Sequence, residues 1–170
     1  MKRIGLLSDT HGFLDSRLLE HFEECDEIWH AGDFGSIEVS NELERFKPLR
    51  GVYGNIDGAE LRKIHPLHQR FRMEGFNIWM THIGGYPPAY NPEMRPLLRN
   101  NPPDIFICGH SHILRILRDD KLRNMLYINP GAAGREGFHK VKTAIRFTLD
   151  NGKIKDMEVI ELGSRGELLP

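Results

Sequence analysis

The sequence predicts an α/β protein built from two packed mixed β-sheets flanked by helices. Short apolar runs alternate with segments of helical periodicity through the first third of the chain, the pattern of parallel strands in a layered fold. The later segments instead pair as hairpins across two-residue turns. The length, 170 residues, matches one ordinary domain of roughly 100–200 residues. No repeat, low-complexity stretch, like-charge block or composition shift marks a linker. Residues 1–170 are therefore read as a single domain.

Lys2 to Leu7 is short, apolar and followed by small polar residues, which predicts a buried strand. Leu14, Leu18, Leu19 and Phe22 recur at helical spacing and predict a helix of about three turns. Cys25 to His30 reads as a second strand, ended by Ala31-Gly32-Asp33. Val39, Leu43 and Phe46 mark a second helix that Pro48 stops, and Leu49 to Tyr53 a third strand closed by Gly54-Asn55. His65 and His68 fall in what reads as a polar connection. Gln69–Met73 and Phe76–Met80 flank Glu74-Gly75 as a hairpin. Gly84 to Pro92 is a Gly/Pro-rich loop, Asn91 to Asn100 a short helix, and Asp104 to Cys108 a strand. Ile113–Leu117 pairs with Met125–Ile128 around Asp119-Asp120-Lys121. The alternating run from Val141 to Leu149 meets Asn151-Gly152, a strong hairpin signal, with Ile154–Ile160 as the return strand. Residues 163–170 read as a flexible tail.

Composition narrows the function. Lys plus Arg number 23 and Asp plus Glu 24, a net charge of −1. That balance offers no electrostatic footprint for nucleic acid or an anionic membrane. The two cysteines, Cys25 and Cys108, encode no disulfide framework. The apolar stretch after Met1-Lys2-Arg3 is too short for a secretory signal, and no run reaches the roughly 20 apolar residues that span a bilayer. The expected location is the cytoplasm. Hydrophobic strands near the C-terminus read either as core or as a homo-oligomer interface.

The counts that stand out are nine His and 17 Gly. Five strand ends carry a metal-ligand type of side chain close to a glycine: Asp9 and His11 by Gly12, Asp33 after Gly32, Asn55 after Gly54, His82 before Ile83-Gly84, and His110 and His112 after Gly109. Loops beyond the carboxyl ends of strands lie together in layered α/β folds, so these side chains can converge in one crevice. Seven mixed oxygen and nitrogen donors exceed the needs of one tetrahedral ion. If one carboxylate is shared, they suit a two-metal hydrolase. Imidazole with carboxylate favours Mn, Fe, Zn, Co or Ni over Ca or Mg.

The ordered set Asp9-Thr10-His11, Gly32-Asp33, Gly54-Asn55, His82 and Gly109-His110-Ser111-His112 resembles the calcineurin-like metallophosphoesterase superfamily, whose motif reads D-x-H, G-D, G-N-H-[DE], H and G-H-x-H. The short length resembles its small single-domain bacterial and archaeal phosphodiesterases. The resemblance implies an αββα sandwich and two divalent ions, Mn foremost. Asp9, His11, Asp33 and His112 would hold one ion; Asp33 as bridge, Asn55, His82 and His110 would hold the other. It implies attack on a small or activated phosphodiester by a hydroxide shared between the ions, with His82 and His110 stabilising charge on the phosphoryl oxygens. One position departs from the pattern. Ile56 stands where larger members have the His that assists the leaving group, while Asp57 is kept, in a role that would orient a neighbouring His.

An isolated histidine is ordinarily a surface or packed residue, and that reading is taken for His21, His65, His68 and His139. His30 reads equally as support for the site or as strand-end packing. Cys108 reads as a core thiol, because nothing near it in sequence stabilises a thiolate. Asn129 to Gly134 is a small-residue loop that reads either as approaching the site by its backbone or, the safer reading, as a plain turn. Arg135 is a candidate phosphate contact. The Gly84–Pro92 loop, with Tyr86 and Tyr90, reads as a pocket wall or a passive connection. The leading expectation is a metal-dependent phosphodiesterase. Behind it stand a phosphomonoesterase using the same site, a metal-binding scaffold like the retromer subunit that shares the fold, and, least supported by charge, a nuclease.

Overall fold

β1 (Lys2–Leu7) shows how alternation builds layers. Ile4 and Leu6 point into one apolar cluster and Leu7 into another, all fully buried, as the period of 2 requires. Between them Gly5 gives way to the Phe22 ring, whose carbons would lie 2.7 Å from any Cβ at that position. The computed structural model describes residues 1–167.

Five strands form the first sheet, in the order β12 (Lys153–Ser164), β11 (Val141–Asp150), β1, β2 (Glu27–His30), β3 (Leu49–Gly51). β1, β2 and β3 run parallel, and the C-terminal hairpin adds antiparallel strands beside β1. The second sheet runs β4 (His68–Met73), β5 (Phe76–Thr81), β8 (Ile105–Ile107), β10 (Met125–Pro130), β9 (Leu114–Asp119). Its centre, β5, β8 and β10, is parallel and both edges are antiparallel. Between the sheets lie Ile4, Leu6, Trp29, Ile78, Met80, Ile107, Ile128 and Phe147, all buried.

Helices cover the outer faces. α1 (Ser16–His21), α2 (Ile37–Phe46) and α3 (Ala59–Ile64) bring Leu18, Val39, Leu43 and Leu61 onto the first sheet. α4 (Met94–Asn100) brings Met94 and Leu98 against Trp79, Phe106 and Tyr127 of the second. The predicted α/β sandwich of two mixed sheets flanked by helices is the observed one. Among the described residues no helix is long and apolar enough to cross a membrane.

Several elements differ in extent. The first helix has six residues rather than about three turns, because the Asp15 side chain accepts from the Arg17 amide and caps it there, leaving Leu14 in the preceding loop. β2 begins at Glu27 and β3 ends at Gly51. The stretch read as a polar connection contains α3, and His65 at its end is buried, stacked on Phe34 with ring centroids 4.5 Å apart and bonded to Ser40 at 2.8 Å. The Gly/Pro-rich loop holds a small hairpin, β6 (Gly85–Tyr86) with β7 (Ala89–Tyr90). Tyr90 is buried, and its hydroxyl donates to Asp119 at 2.6 Å; of this loop, Asn91 rather than Tyr90 lines the pocket beside the strand-end donors. The segment read as a tail starts inside β12, which runs to Ser164, and the Arg165 amide donates to the Lys140 carbonyl at 2.9 Å. The remainder of that expectation, residues 168–170, lies outside the described residues.

Candidate metal centre

The parallel strands of both sheets end on one side of the molecule, and the loops that follow are tied together by backbone bonds. The amides of Asp9, His11 and Gly12 donate to the carbonyls of Gly32, Asp33 and Phe34 at 3.0, 3.1 and 2.7 Å. The amides of Ala133 and Gly134 donate to Ser8 and Asp9 at 2.9 and 3.1 Å. The small-residue loop from Asn129 to Gly134 thus meets the site through its backbone, the alternative to a plain turn. Asp9, His11, Asp33, His110 and His112 all have positive φ, from 47° to 71°. For a non-glycine residue that costs roughly 1–2 kcal/mol, and such strain gathers at functional sites.

The Asp9 carboxylate is fully buried. Its Oδ2 accepts from the Ser8 hydroxyl at 2.6 Å and the His110 amide at 3.1 Å. Its Oδ1 faces Nε2 of His112 at 3.2 Å and Nε2 of His11 and His82 at 3.8 Å each. Asp33 Oδ1 accepts from the Ile56 amide at 3.1 Å, while Oδ2 faces His82 Nε2 at 3.2 Å and His11 Nε2 at 3.4 Å. Asn55 Oδ1 lies 3.1 Å from His110 Nδ1.

Two groups of donors can therefore each hold a metal ion: Asp9, His11 and His112, and Asp33, His82 and His110, with ligand atoms within 4.8 Å of one another in each. The donors fit a cation. Among the described residues, Asp9 Oδ1, His11 Nε2 and His82 Nε2 are buried without a hydrogen-bond partner, a condition that native interiors seldom leave unanswered. His82 Nδ1 lies 2.7 Å from the Ala31 carbonyl, so Nδ1 carries the proton in the neutral ring and the Nε2 lone pair faces two carboxylates. Only a cation or a proton relieves that arrangement.

The protonation balance agrees. Burial alone would raise the Asp9 and Asp33 carboxyls, but the surrounding histidines outweigh it and hold both far below the usual carboxylate range. Asp33 and Asp9 lift His11 to about 10. His82 is also raised, its carboxylate neighbours overcoming burial, whereas burial lowers His110. Without metal, protons answer the carboxylates; binding a cation must displace them.

Asp57 takes a different place from the one expected. Its hydrogen bonds go to backbone amides rather than to a histidine: Gly54 at 2.8 Å, Gly35 at 2.9 Å and Phe34 at 3.2 Å. A carboxylate that folds back on its own turn and reaches the Asp33 loop fixes the spacing of two candidate ligands from behind. Gly54 is needed for the same spacing, since a Cβ there would overlap the Asp33 carboxylate. Gly54→Ala is expected to lower Mn affinity by about 10–100-fold, the usual effect of disturbing a ligand's support. Calorimetric titration with Mn measures it.

His30 proves to be a strut. Its Nδ1 accepts from the Gly32 amide at 3.1 Å, its Nε2 lies 3.0 Å from the Thr10 hydroxyl, and that hydroxyl donates to the Phe34 carbonyl at 2.9 Å. Burial, the largest influence, pushes its pKa down to about 3. A histidine buried neutral takes up a proton on unfolding whenever the pH lies below its unfolded value, so stability falls as pH drops below 6.5. At pH 5 the loss is about 2 kcal/mol, from roughly 1.5 pH units at 1.36 kcal/mol each. Denaturant unfolding of metal-free protein at pH 7 and pH 5, compared with His30→Gln, measures this, and the variant is expected to show a shallower slope.

Other contributors carry no local sequence signal. Asn129 Nδ2 donates to the Gly109 carbonyl at 3.0 Å, and Glu136 approaches His11 Nδ1 at 3.5 Å. His139, read as an ordinary residue, stands edge-on to His112 with centroids 5.2 Å apart, and its Nε2 donates to the Gly134 carbonyl at 2.7 Å. Arg135 lies over the Phe13 ring at 4.0 Å. Cys108 is a core thiol as expected: it is fully buried, and burial pushes it up to about 12.

The chain is 32% identical over 139 residues to a probable metallophosphoesterase of Methanothermobacter thermautotrophicus, covering 76% of each. It superposes on the structure of an archaeal phosphodiesterase with a TM-score of 0.72 and 23% identity, over 93% of this chain and 99% of that one. It also superposes on Zn-complexed Vps29 from Entamoeba histolytica, with a TM-score of 0.69 and 17% identity, over 94% and 98%. Residues 1–152 match the calcineurin-like phosphoesterase superfamily domain. With the fold and the order of its strand-end residues already in agreement, the chain belongs to the calcineurin-like phosphoesterase superfamily.

Proposed function

We propose that the protein is a metal-dependent phosphodiesterase acting on a small or activated diester in the cytoplasm. In this reading Asp9, His11, Asp33 and His112 hold one divalent ion, and Asp33, Asn55, His82 and His110 hold a second, with Mn the expected metal. The observation that carries it is the position of Asp33, whose Oδ2 lies within 3.4 Å of the Nε2 atoms of both His11 and His82 and is suited to bridge. When bound, the ions supply a nucleophile at neutral pH and neutralise charge on the phosphoryl oxygens. The chain's part is to hold that geometry. Ala31 fixes the His82 ring, Ser8 and the His110 amide fix Asp9, and the Ile56 amide fixes Asp33. His110, an exposed residue whose Nδ1 lies 3.1 Å from Asn55 Oδ1, would with His82 stabilise charge on the phosphoryl oxygens. The Ile56 side chain is exposed and offers no proton, which favours diesters with good leaving groups.

A second reading, a metal-binding scaffold of the same fold, draws on the likeness to Zn-complexed Vps29. Hydrolysis of bis(p-nitrophenyl) phosphate and of p-nitrophenyl phosphate by metal-stripped protein, with and without Mn, separates them. Mn-restored diester turnover is the expected result. Monoester preference would make the protein a phosphomonoesterase, and metal binding without turnover of either compound would leave the scaffold.

A further inference from the structure

A pocket of about 330 Å³ opens beside the Asp33–His82–His110 group and shares Asn55 and His82 with the candidate metal centre. Much of the rest of its lining is apolar: Tyr53, Leu67, Ile83, Met94 and Leu97. Leu67, Leu97 and Ile83 remain 48%, 47% and 38% exposed, so the folded chain leaves this apolar surface uncovered at the site's edge. Its volume is at the low end for small-molecule sites, roughly 300–1,000 Å³.

The charges in the lining are as informative. Among the described residues it contains no Lys or Arg, and its one carboxylate is Glu93. His68 accepts from the Trp79 indole at 3.3 Å, and burial lowers its pKa, so it adds no positive charge. Arg62 stacks on Tyr53 at 4.6 Å but donates to the backbone carbonyls of Asp57 and Asn55 and is not part of the lining. An ester group bearing a second phosphate or a carboxylate would meet Glu93 with no Lys or Arg in the lining to offset it. A neutral hydrocarbon group would gain by burial.

We propose that this pocket binds a neutral, mainly apolar alkyl or aryl ester group of the substrate, with Leu67, Ile83 and Leu97 as its contact surface and Glu93 excluding anionic groups. The assignment rests on the phosphoesterase reading, because it supposes a phosphoryl group held at the adjoining donors.

The test uses Mn-loaded full-length protein and a series of methyl-, butyl- and hexylphosphonate, with Kd measured by calorimetry and diester turnover followed alongside. A fully buried methylene tightens binding about fourfold, so hexylphosphonate should bind at least about tenfold more tightly than methylphosphonate even with partial burial. Leu97→Asp, at an exposed position where folding is not at risk, should flatten that dependence. 6-Phosphonohexanoate should bind at least about tenfold more weakly than hexylphosphonate, and Glu93→Gln should narrow the gap. Equal affinity across the alkyl series, or no phosphonate binding at all, would overturn the proposal. Turnover without chain-length dependence would overturn the pocket alone. Chain-length dependence without turnover would support the pocket and overturn the hydrolytic reading.

Discussion

Asp33→Ala is expected to lower Mn-dependent hydrolysis of bis(p-nitrophenyl) phosphate by at least about 10³-fold, well beyond the 10–100-fold typical of a residue that only supports a ligand. Asp33 Oδ2 is the carboxylate oxygen nearest the Nε2 atoms of both His11 and His82, so in the proposed arrangement its removal would take a shared ligand from both ions. It also removes the foremost influence raising His11, so the His11 pKa should fall toward 6.5. Imidazole titration followed by NMR in the metal-free variant reads that change independently of turnover. The fold should survive, because the Gly32, Asp33 and Phe34 carbonyls keep their bonds from the Asp9–Gly12 loop. Circular dichroism matching the parent, with turnover within tenfold of it, would remove Asp33 from the centre of the mechanism.

The largest stability effect is expected away from the donors, at Asp15. Its carboxylate is fully buried and meets the Lys142 ammonium, also fully buried, at 3.0 Å. Arg17 grips the same carboxylate through Nε at 3.0 Å and a terminal nitrogen at 2.7 Å, and that nitrogen reaches on to the Leu162 carbonyl at 2.7 Å. One carboxylate thus joins the start of α1 to β11 and β12. Asp15→Asn leaves the Lys142 charge buried without its counter-charge, a loss of about 3–5 kcal/mol. At roughly 2–4 °C per kcal/mol for a chain of this size, the melting temperature should drop by about 10 °C. Lys142→Met should cost less, because Asp15 keeps Arg17. Burial would raise the Asp15 carboxyl, but Arg17 and Lys142 outweigh it and hold it well below the usual range. A depressed folded pKa gives stability that is present above the unfolded value near 4 and lost as pH falls below it. The variant should therefore lose less stability in acid than the parent. Equal melting temperatures for Asp15→Asn and the parent would refute this role.

Much of the fold was legible because its signals are local. Asn151-Gly152 and Glu74-Gly75 both adopt positive φ at their two turn positions, as two-residue hairpin turns demand. The short apolar run of β1 reads directly as a buried strand. α3 escaped because only Leu61 among its six residues is buried, too little to set a helical period. The joining of β11 to β1, across more than a hundred positions of chain, has no local signature, nor do the approaches of Asn129 and Glu136 to the site.

The candidate site was legible for a related reason. Its residues follow strands, next to glycines that mark sharp turns, and the parallel strands carry them to one edge. What the sequence could not convey is where a side chain aims once its turn closes. Asp57 was expected beside a histidine and instead holds three amides. His65 was expected in a polar connection without a role and instead stacks on Phe34, which stacks in turn on His30 at 3.7 Å. In both places the partner comes from a loop that only the completed sheet brings near.

The most direct test of a two-metal centre is a stoichiometric titration of metal-stripped protein with Mn, following bound metal and diester turnover together. Turnover that rises to a maximum at two equivalents per chain is the result this account predicts. Saturation at one equivalent, or two bound ions with no turnover, would contradict it.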